Sequence, residues 1–313
     1  MPRPPQTWTH AELEREAAHA KTLFVAERLA ALKAETLLYE ASIKKHSEPI
    51  GALLKATKNL TAVTGDSLKN RKQLDALRYT LAPIVSLDDL DTLTDSCFKQ
   101  WVDQTTERGT KPTDAAFKTA AKFFSPRVDR SKAPWLISGA PATQPEIEAF
   151  IRTTASVRAM GDVQTARRME RSKIQEDAIR AACAAARYTP VTPPGELTNP
   201  IKQMPPGSYA TKSRKLAMTN MDIAVRMKDN HGTGLLFLAI EAKVSNSSLN
   251  SRKRLNDVAR KRERWDASGQ LYQFRTAAVI AGVFSIPRLI EAQEAGVFIF
   301  WEHRLQDLTA FLR

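Results

Sequence analysis

At 313 residues, of which 42% are hydrophobic and 26% charged, the chain is long and apolar enough for two domains, or for one large domain with an appendage. Its formal net charge of +13 and isoelectric point near 9.8 indicate a polyanionic partner, with nucleic acid as the commonest class and a generic basic surface as the alternative. Two distant cysteines exclude a disulfide framework, and the lack of a signal peptide or transmembrane run predicts a cytoplasmic protein with no membrane partner.

The N-terminal part of the chain predicts helices. Thr9 followed by Glu12 is typical of a capping box, which would open a helix that runs to about residue 59 and that Pro49 breaks or restarts. An apolar stripe at helical spacing runs along this helix: Leu13, Ala17, Ala20, Phe24, Leu29, Leu32 and Leu37. Further helices are predicted over 68–81, from the cap at Ser86, and over 111–124, so the first 125 residues form an all-α region.

The pattern changes in the second half of the chain. A connector over 125–143 leads to helices that open at Pro145 and span 166–188, and a proline-rich loop follows over 189–207. Strand patterns over 222–227, 235–244, 277–284 and 297–301 then alternate with helical ones around 255–265, 287–295 and 305–312. The chain is therefore predicted to be α/β, with a helical N-terminal region at 1–143 for DNA binding or dimerisation and a catalytic domain at 144–313.

A pair of charged residues ends the most apolar strand pattern. The run 236–240 leads directly into Glu241 and Lys243, which lie two positions apart and therefore project from the same face of a strand. Burying such charges is unfavourable unless they are paired or have a function. A tight turn at residues 231 and 232 would place Asp222 directly opposite Glu241, with β-carbons roughly 5 Å apart.

Two carboxylates whose β-carbons lie roughly 5 Å apart predict a cation site. They repel each other unless one is protonated or a cation lies between them, and Mg²⁺ suits such oxygen ligands. Lys243 on the same face can orient a water or offset charge on a phosphate, so the arrangement predicts metal-dependent hydrolysis of a phosphodiester. The alternative is a solvated strand end, where Asp222 opens a turn and Glu241 pairs only with Lys243.

Polar and basic residues follow the charged pair. Asn can bond adenine through two hydrogen bonds, Ser can contact phosphate or base, and cations can contact phosphates. The alternative for this segment is a helix cap followed by a solvated basic face. The residues predicted to bind DNA are Ser245, Asn246, Asn250, Ser251, Arg252, Lys253 and Arg254. A second group of cations lies further on: Arg260, Lys261, Arg262 and Arg264.

These residues resemble a known family. Asp222 with Glu241-Ala242-Lys243 is similar to the PD-(D/E)XK nuclease signature, and over residues 222–311 the chain resembles type II restriction endonucleases of the XamI-like group. The resemblance implies a PD-(D/E)XK-type nuclease core, which is a mixed central sheet flanked by helices. It also implies site-specific, Mg²⁺-dependent cleavage of double-stranded DNA.

The resemblance also implies roles for individual residues. Asp222, Glu241 and the Ala242 carbonyl would bind the metal, and Lys243 would act on the attacking water. Met221 stands where the family has a proline, and Asp229 is a rival for the first acid. An additional acid from a preceding helix would be Glu176, for which an ordinary exposed helix glutamate is the alternative.

Three functions are consistent with these observations. The first is a type II restriction endonuclease, acting as a homodimer because both strands of a palindrome must be cut, with a cognate DNA methyltransferase as genetic partner. The second is a repair or mobile-element nuclease of the same superfamily. The third is a non-catalytic basic DNA-binding protein with a helical N-terminal interaction domain.

Overall fold

The computed structural model describes residues 7–103, 110–228, 235–268 and 274–313. The chain forms two compact units. The helical unit comprises residues 32–166, and the sheet unit comprises residues 1–31 together with 167–313. The predicted functional division between residues 143 and 144 stays a prediction. No helix in the described ranges is both long and apolar enough to cross a membrane.

The first helix, α1, spans His10–Ala56 and begins as predicted. The backbone N–H of Thr9 donates to Glu12 Oε2 at 2.8 Å, and the N–H of Glu12 donates to Thr9 Oγ1 at 3.3 Å, which is a capping box. The break predicted at Pro49 is wrong, because α1 continues through it. Ile50 and Leu53, directly after the proline, are buried in the core, and this packing outweighs the lost backbone hydrogen bond.

The apolar stripe of α1 is buried only near its start. Leu13 and Ala20 pack into the core of the sheet unit. Leu29, Leu32 and Leu37 are instead 63%, 51% and 59% exposed, so this part of the predicted stripe lies on the surface. Helical spacing shows that side chains share a face, but it does not show what covers that face.

The remaining helices of the N-terminal half confirm the all-α prediction. They are α2 (Arg71–Arg78), α3 (Leu87–Thr94), α4 (Phe98–Asp103), α5 (Asp114–Phe124), α6 (Trp135–Ser138) and α7 (Gln144–Ala185). The cap predicted at Ser86 is present, since its hydroxyl accepts from the N–H of Asp89 at 2.9 Å. Helix α7 is continuous where two helices were expected. Edge-to-face contacts among Phe98, Trp101 and Phe117 lie at the centre of the core.

The C-terminal half forms a mixed α/β arrangement. Its elements are β1 (Thr189–Val191), α8 (Pro200–Gln203), β2 (Ser208–Ala210), β3 (Arg214–Leu216), β4 (Thr219–Met221), β5 (Ile223–Arg226), β6 (Phe237–Ser245), α9 (Ser248–Ser268), β7 (Phe274–Gly282), α10 (Ile286–Glu294), β8 (Phe298–Trp301) and α11 (Leu305–Leu312). Strands β3 and β4 form a separate hairpin. The predicted strands and helices after residue 222 are all present, whereas the short strands before it were missed.

Six of these strands form one mixed sheet in the order β1-β2-β5-β6-β7-β8. The pairs β2–β5 and β5–β6 are antiparallel, whereas β1–β2, β6–β7 and β7–β8 are parallel. Strand β6 therefore has an antiparallel neighbour on one side and a parallel neighbour on the other. This central position surrounds its backbone with partners and fixes where its side chains project.

The two faces of β6 contact different helices. Leu238 and Ile240 pack with the C-terminal part of α7 and with α11. Ala239 lies on the other face, in a cluster with Trp265 of α9. Because side chains alternate along a strand, Glu241 and Lys243 project toward the face that α9 covers.

The end of β7 requires glycine. Gly282 has φ of +92°, and a β-carbon there would lie 2.1 Å from the carbonyl oxygen of Ser245, which already accepts the N–H of Val283 at 2.8 Å. We expect Gly282→Ala to lower the free energy of unfolding by about 2–4 kcal/mol, because the new methyl group must push β6 and β7 apart. Urea unfolding measures the change.

Gly161, inside α7, is the matched control for this substitution. A β-carbon at Gly161 would meet no atom within 4 Å, so Gly161→Ala should raise the free energy of unfolding by about 0.5–1 kcal/mol. Equal stability of the two variants would contradict the requirement for glycine at position 282.

Candidate active site

The register of β5 and β6 agrees with the sequence prediction. Ile223 pairs with Ile240, and Ala224 pairs with Ala239. The same register places Asp222, the residue before β5, opposite Glu241. The turn between the strands lies outside the described residues, as does the rival acid Asp229.

Asp222 is attached directly to the backbone of β6. Its Oδ2 accepts a hydrogen bond from the N–H of Ala242 at 2.8 Å. This bond holds the carboxylate at the end of the strand, beside Glu241. The structure therefore brings together the three residues that the sequence predicted as metal ligands, Asp222, Glu241 and Ala242.

The carboxylate of Glu241 is fully buried, and its two oxygens have different surroundings. Its Oε2 lies 2.7 Å from Lys243 Nζ and 2.6 Å from Lys261 Nζ. Its Oε1 is buried and has no hydrogen-bond partner within the described part of the chain. An unpaired buried carboxylate oxygen is unfavourable, so Oε1 is the natural position for a cation to bind.

Lys243 joins β6 to helix α9. Besides Glu241, its ammonium lies 3.1 Å from Oδ2 of Asp257 on that helix. Burial by itself would lower the pKa of Lys243, but the negative charges of Glu241 and Asp222 outweigh it and raise the pKa above its usual value. Lys243 is therefore positively charged at neutral pH.

The pKa of Glu241 is also shifted upward. Burial is the main cause and the charge of Asp222 adds to it, while Lys243 and Lys261 act in the opposite direction. The upward shift of the Glu241 pKa therefore reflects its burial first and its repulsion by Asp222 second. A divalent cation at this position would relieve that repulsion.

The donors near Glu241 fit a hard divalent cation. No group of three or more His, Cys, Asp or Glu side chains capable of holding a metal occurs in the ranges that the structure describes. Asp222 and Glu241 contribute two carboxylates, and the Ala242 carbonyl could contribute a third oxygen. Mg²⁺ commonly takes only one or two carboxylates and completes its shell with water.

Glu176 is not part of this group. It lies on α7, where its carboxylate pairs with Arg180 one turn away at 2.7 Å. The adjoining part of α7, including Ile179, packs on the opposite face of the sheet from Glu241. The geometry favours Asp257, rather than Glu176, as the third acid near Lys243.

Two predicted DNA-binding serines are buried. The hydroxyl of Ser245 donates to the Ser247 carbonyl at 2.8 Å, and that of Ser251 donates to the Ser248 carbonyl at 2.5 Å. Ser251 Oγ also accepts the N–H of Ser285 at 3.2 Å. These bonds tie the start of α9 to the neighbouring loops, so burial favours a structural role for both serines.

The other predicted DNA-binding residues are exposed around the start of α9. Asn246 and Asn250 bond each other at 2.5 Å through their side-chain amides. Arg252, Lys253 and Arg254 follow in the first turns of the helix, and all three are exposed. This end of the sheet unit therefore presents amides and cations next to the carboxylates.

The sequence reasoning missed two residues of α9 that contact the charged pair on β6. Asp257 and Lys261 contact Lys243 and Glu241, yet Lys261 was assigned to a solvated or phosphate-binding basic cluster. One signal was available, because Lys261 follows Val258 by three positions, and Val258 lies on the buried face of the helix. Only the packing of α9 on the sheet shows which carboxylate Lys261 reaches.

A cavity of about 520 Å³ lies within the helical unit. Its lining includes His46, Asp75, Tyr79 and Arg158, and none of the residues grouped around Glu241. The charged residues whose contacts suit a phosphodiester lie on β6 and α9, in the sheet unit.

Comparisons with known proteins show the family to which the chain belongs. The sequence matches the family model described as XamI restriction endonuclease over residues 58–301. It is 30% identical over 286 residues to the type II restriction enzyme XamI of Xanthomonas campestris pv. amaranthicola, covering 90% of this chain and 96% of that enzyme. No solved structure matches the chain. The range matched by the family model contains β5, β6 and α9.

Proposed function

Because this chain belongs to the XamI restriction endonuclease family, we propose that it cuts double-stranded DNA at the end of β6 with Mg²⁺ as its metal. It is a type II restriction endonuclease, a hydrolase of a restriction–modification system. The observation that carries the assignment of the site is the buried Glu241, which has one unpaired oxygen and faces Asp222. The family therefore takes precedence over the two other functions considered from the sequence, a repair or mobile-element nuclease and a non-catalytic DNA-binding protein.

We propose that the sheet unit contains a PD-(D/E)XK nuclease core. Its support is the mixed sheet flanked by helices, with Asp222 before one strand and Glu241-Ala242-Lys243 at the end of the next. Met221 takes the place of the proline of the signature. Asp222 accepts a hydrogen bond from the Ala242 N–H, and this bond orients its carboxylate although the proline is absent.

The proposed metal ligands are Asp222, Glu241 and the carbonyl of Ala242. When bound, Mg²⁺ would supply Lewis-acid stabilisation of the negative charge that develops on the phosphate. Glu241 offers its unpaired Oε1, and Asp222 is oriented by the Ala242 N–H. All of these donors are oxygens, which is the preference of a hard cation.

Lys243 acts as a positive charge and hydrogen-bond donor. In the metal-free protein the raised pKa of Lys243 keeps its ammonium protonated at neutral pH, which suits a hydrogen-bond donor. Its Nζ can donate to the attacking water and to a phosphate oxygen, and Asp257 and Glu241 limit its movement. The role of Lys243 is therefore to orient the nucleophile and stabilise charge.

The charges of the site suit a phosphodiester after metal binding. Asp222, Glu241 and Asp257 are opposed by Lys243 and Lys261, so the described group carries one net negative charge. A divalent ion changes this to one net positive charge. A DNA phosphate, with one negative charge, is then attracted to the site.

Plasmid digestion tests the proposed site. With Mg²⁺ the protein should give discrete fragments, and chelation should abolish them. Lys243→Ala should lower the cleavage rate at least about a hundredfold, because charge stabilisation in the transition state is lost. Lys173→Ala, which removes an exposed cation paired with Asp177, is the control and should cleave normally.

Other outcomes of the digestion would favour one of the two alternative functions. Nicks or structure-dependent products would indicate a repair or mobile-element nuclease, and a mobility shift without cleavage would indicate a binding protein. Normal cleavage by Lys243→Ala would show that the active site lies elsewhere.

We propose that Arg252, Lys253 and Arg254 contact DNA phosphates, with Asn246 and Asn250 nearest the bases. Replacing Arg254 by Gln should reduce the slope of log affinity against log salt by about 0.9, the change expected for one lost phosphate contact. Affinity should be measured without metal by fluorescence anisotropy over a salt series. Lys173→Gln loses the same charge from α7 and should leave the slope unchanged.

We propose that the enzyme is a homodimer, since two active sites must reach both strands. Exposed leucines on α1 support this assembly, because a partner would remove them from water. Sedimentation should give about twice the chain mass of 34.8 kDa. Leu32→Lys together with Leu37→Lys should give monomers if this stretch of α1 is the interface. A monomeric wild-type protein would contradict the proposal.

We also propose a cognate DNA methyltransferase as the genetic partner. A cell that contains a site-specific DNA endonuclease must protect its own sites from cleavage. A methyltransferase gene beside this one, whose product blocks digestion of methylated plasmid, would agree with this proposal.

A further inference from the structure

Two ammonium groups bind the same oxygen of Glu241. Lys243 reaches Oε2 from the same strand, and Lys261 reaches it from α9 at 2.6 Å. Lys261 is only 17% exposed, so both cations have lost much of their contact with water. Asp222 and Asp257 are also close to these lysines, so the notable feature is that both ammonium groups contact the same oxygen.

Neutralisation by itself does not explain why both ammonium groups contact one oxygen of Glu241. Removing a cation from water is unfavourable, and a carboxylate offers two oxygens over which two cations could be spread. Here both cations occupy Oε2, and Oε1 has no partner among the described residues. The two oxygens of Glu241 therefore differ, because Oε2 contacts two ammonium groups and Oε1 contacts none of the described residues.

Helix α9 contributes to this difference between the two oxygens of Glu241. Asp257 and Lys261 lie four positions apart and so project from the same side of the helix. Asp257 contacts Lys243 at 3.1 Å and Lys261 contacts Glu241 Oε2 at 2.6 Å, so α9 reaches both members of the charged pair on β6. Leu255 and Val258 pack against the sheet core and fix the position of the helix.

We propose that Lys261 is a positioning residue whose ammonium acts as a built-in second cation at Glu241. It occupies Oε2, so a divalent ion can bind this carboxylate only through Oε1, and the free protein takes one ion there. This inference rests on the proposed function, in which Asp222 and Glu241 hold the metal. It adds that α9 supplies a cation where a second metal ion would otherwise bind.

Metal binding without DNA tests the proposal. Mn²⁺, titrated by electron paramagnetic resonance or calorimetry, should bind wild-type protein at one ion per chain. Lys261→Met should bind Mn²⁺ at least about tenfold more tightly and gain a second ion, because a positive charge next to Oε2 is lost. Cleavage by the same variant should fall, so metal affinity and activity change in opposite directions.

Two variants serve as controls for charge and shape. Arg260→Met removes the same charge from the neighbouring exposed position of α9 and should bind Mn²⁺ like wild type. Lys261→Arg keeps a cation and should retain one-ion binding. If Lys261→Met does not fold, Lys261→Gln provides the same comparison with a neutral side chain that can still donate a hydrogen bond.

The outcomes separate this inference from the proposed function. Equal Mn²⁺ affinity and stoichiometry for Lys261→Met and Arg260→Met would overturn the inference and leave Lys261 as a structural ion pair. Equal Mn²⁺ binding by wild type and Glu241→Ala would overturn the metal site itself.

Discussion

The burial of the Glu241 carboxylate between strand β6 and helix α9 is the constraint on which the proposed active site depends. A carboxylate removed from water is unstable as an ion unless cations and hydrogen-bond donors surround it. Here Lys243 and Lys261 provide the cations, and both bind one oxygen. The position of α9 on the sheet therefore determines the electrostatics of the site as well as the packing of the core.

Strand geometry explains why these few residues converge. The central strand β6 has antiparallel pairing with β5 and parallel pairing with β7, so its register is fixed on both sides. The first pairing places Asp222 opposite Glu241. The alternation of side chains then directs Glu241 and Lys243 to the α9 face, while Ile240 remains in the core on the other face. A shift by one residue would bury the apolar and charged residues on the wrong faces.

Three of the basic residues lie close to the candidate site in the structure. Arg252, Lys253 and Arg254 are exposed in the first turns of α9, immediately after the strand that carries the carboxylates. The same helix thus carries these exposed cations together with Asp257 and Lys261, which contact Lys243 and Glu241.

The sequence by itself determined which residues can pair and which face of a strand they share. Alternation placed Glu241 and Lys243 together, the turn position predicted Asp222 opposite them, and Thr9 and Ser86 predicted helix starts, because each of these depends only on nearby residues. Tertiary structure alone decided the rest. Helix α1 continues through Pro49 because distant residues pack around Ile50, the stripe at Leu29 is exposed because no described element covers it, and Lys261 belongs to the site because α9 packs on β6. Such contacts join residues far apart in the chain, and no local pattern contains that information.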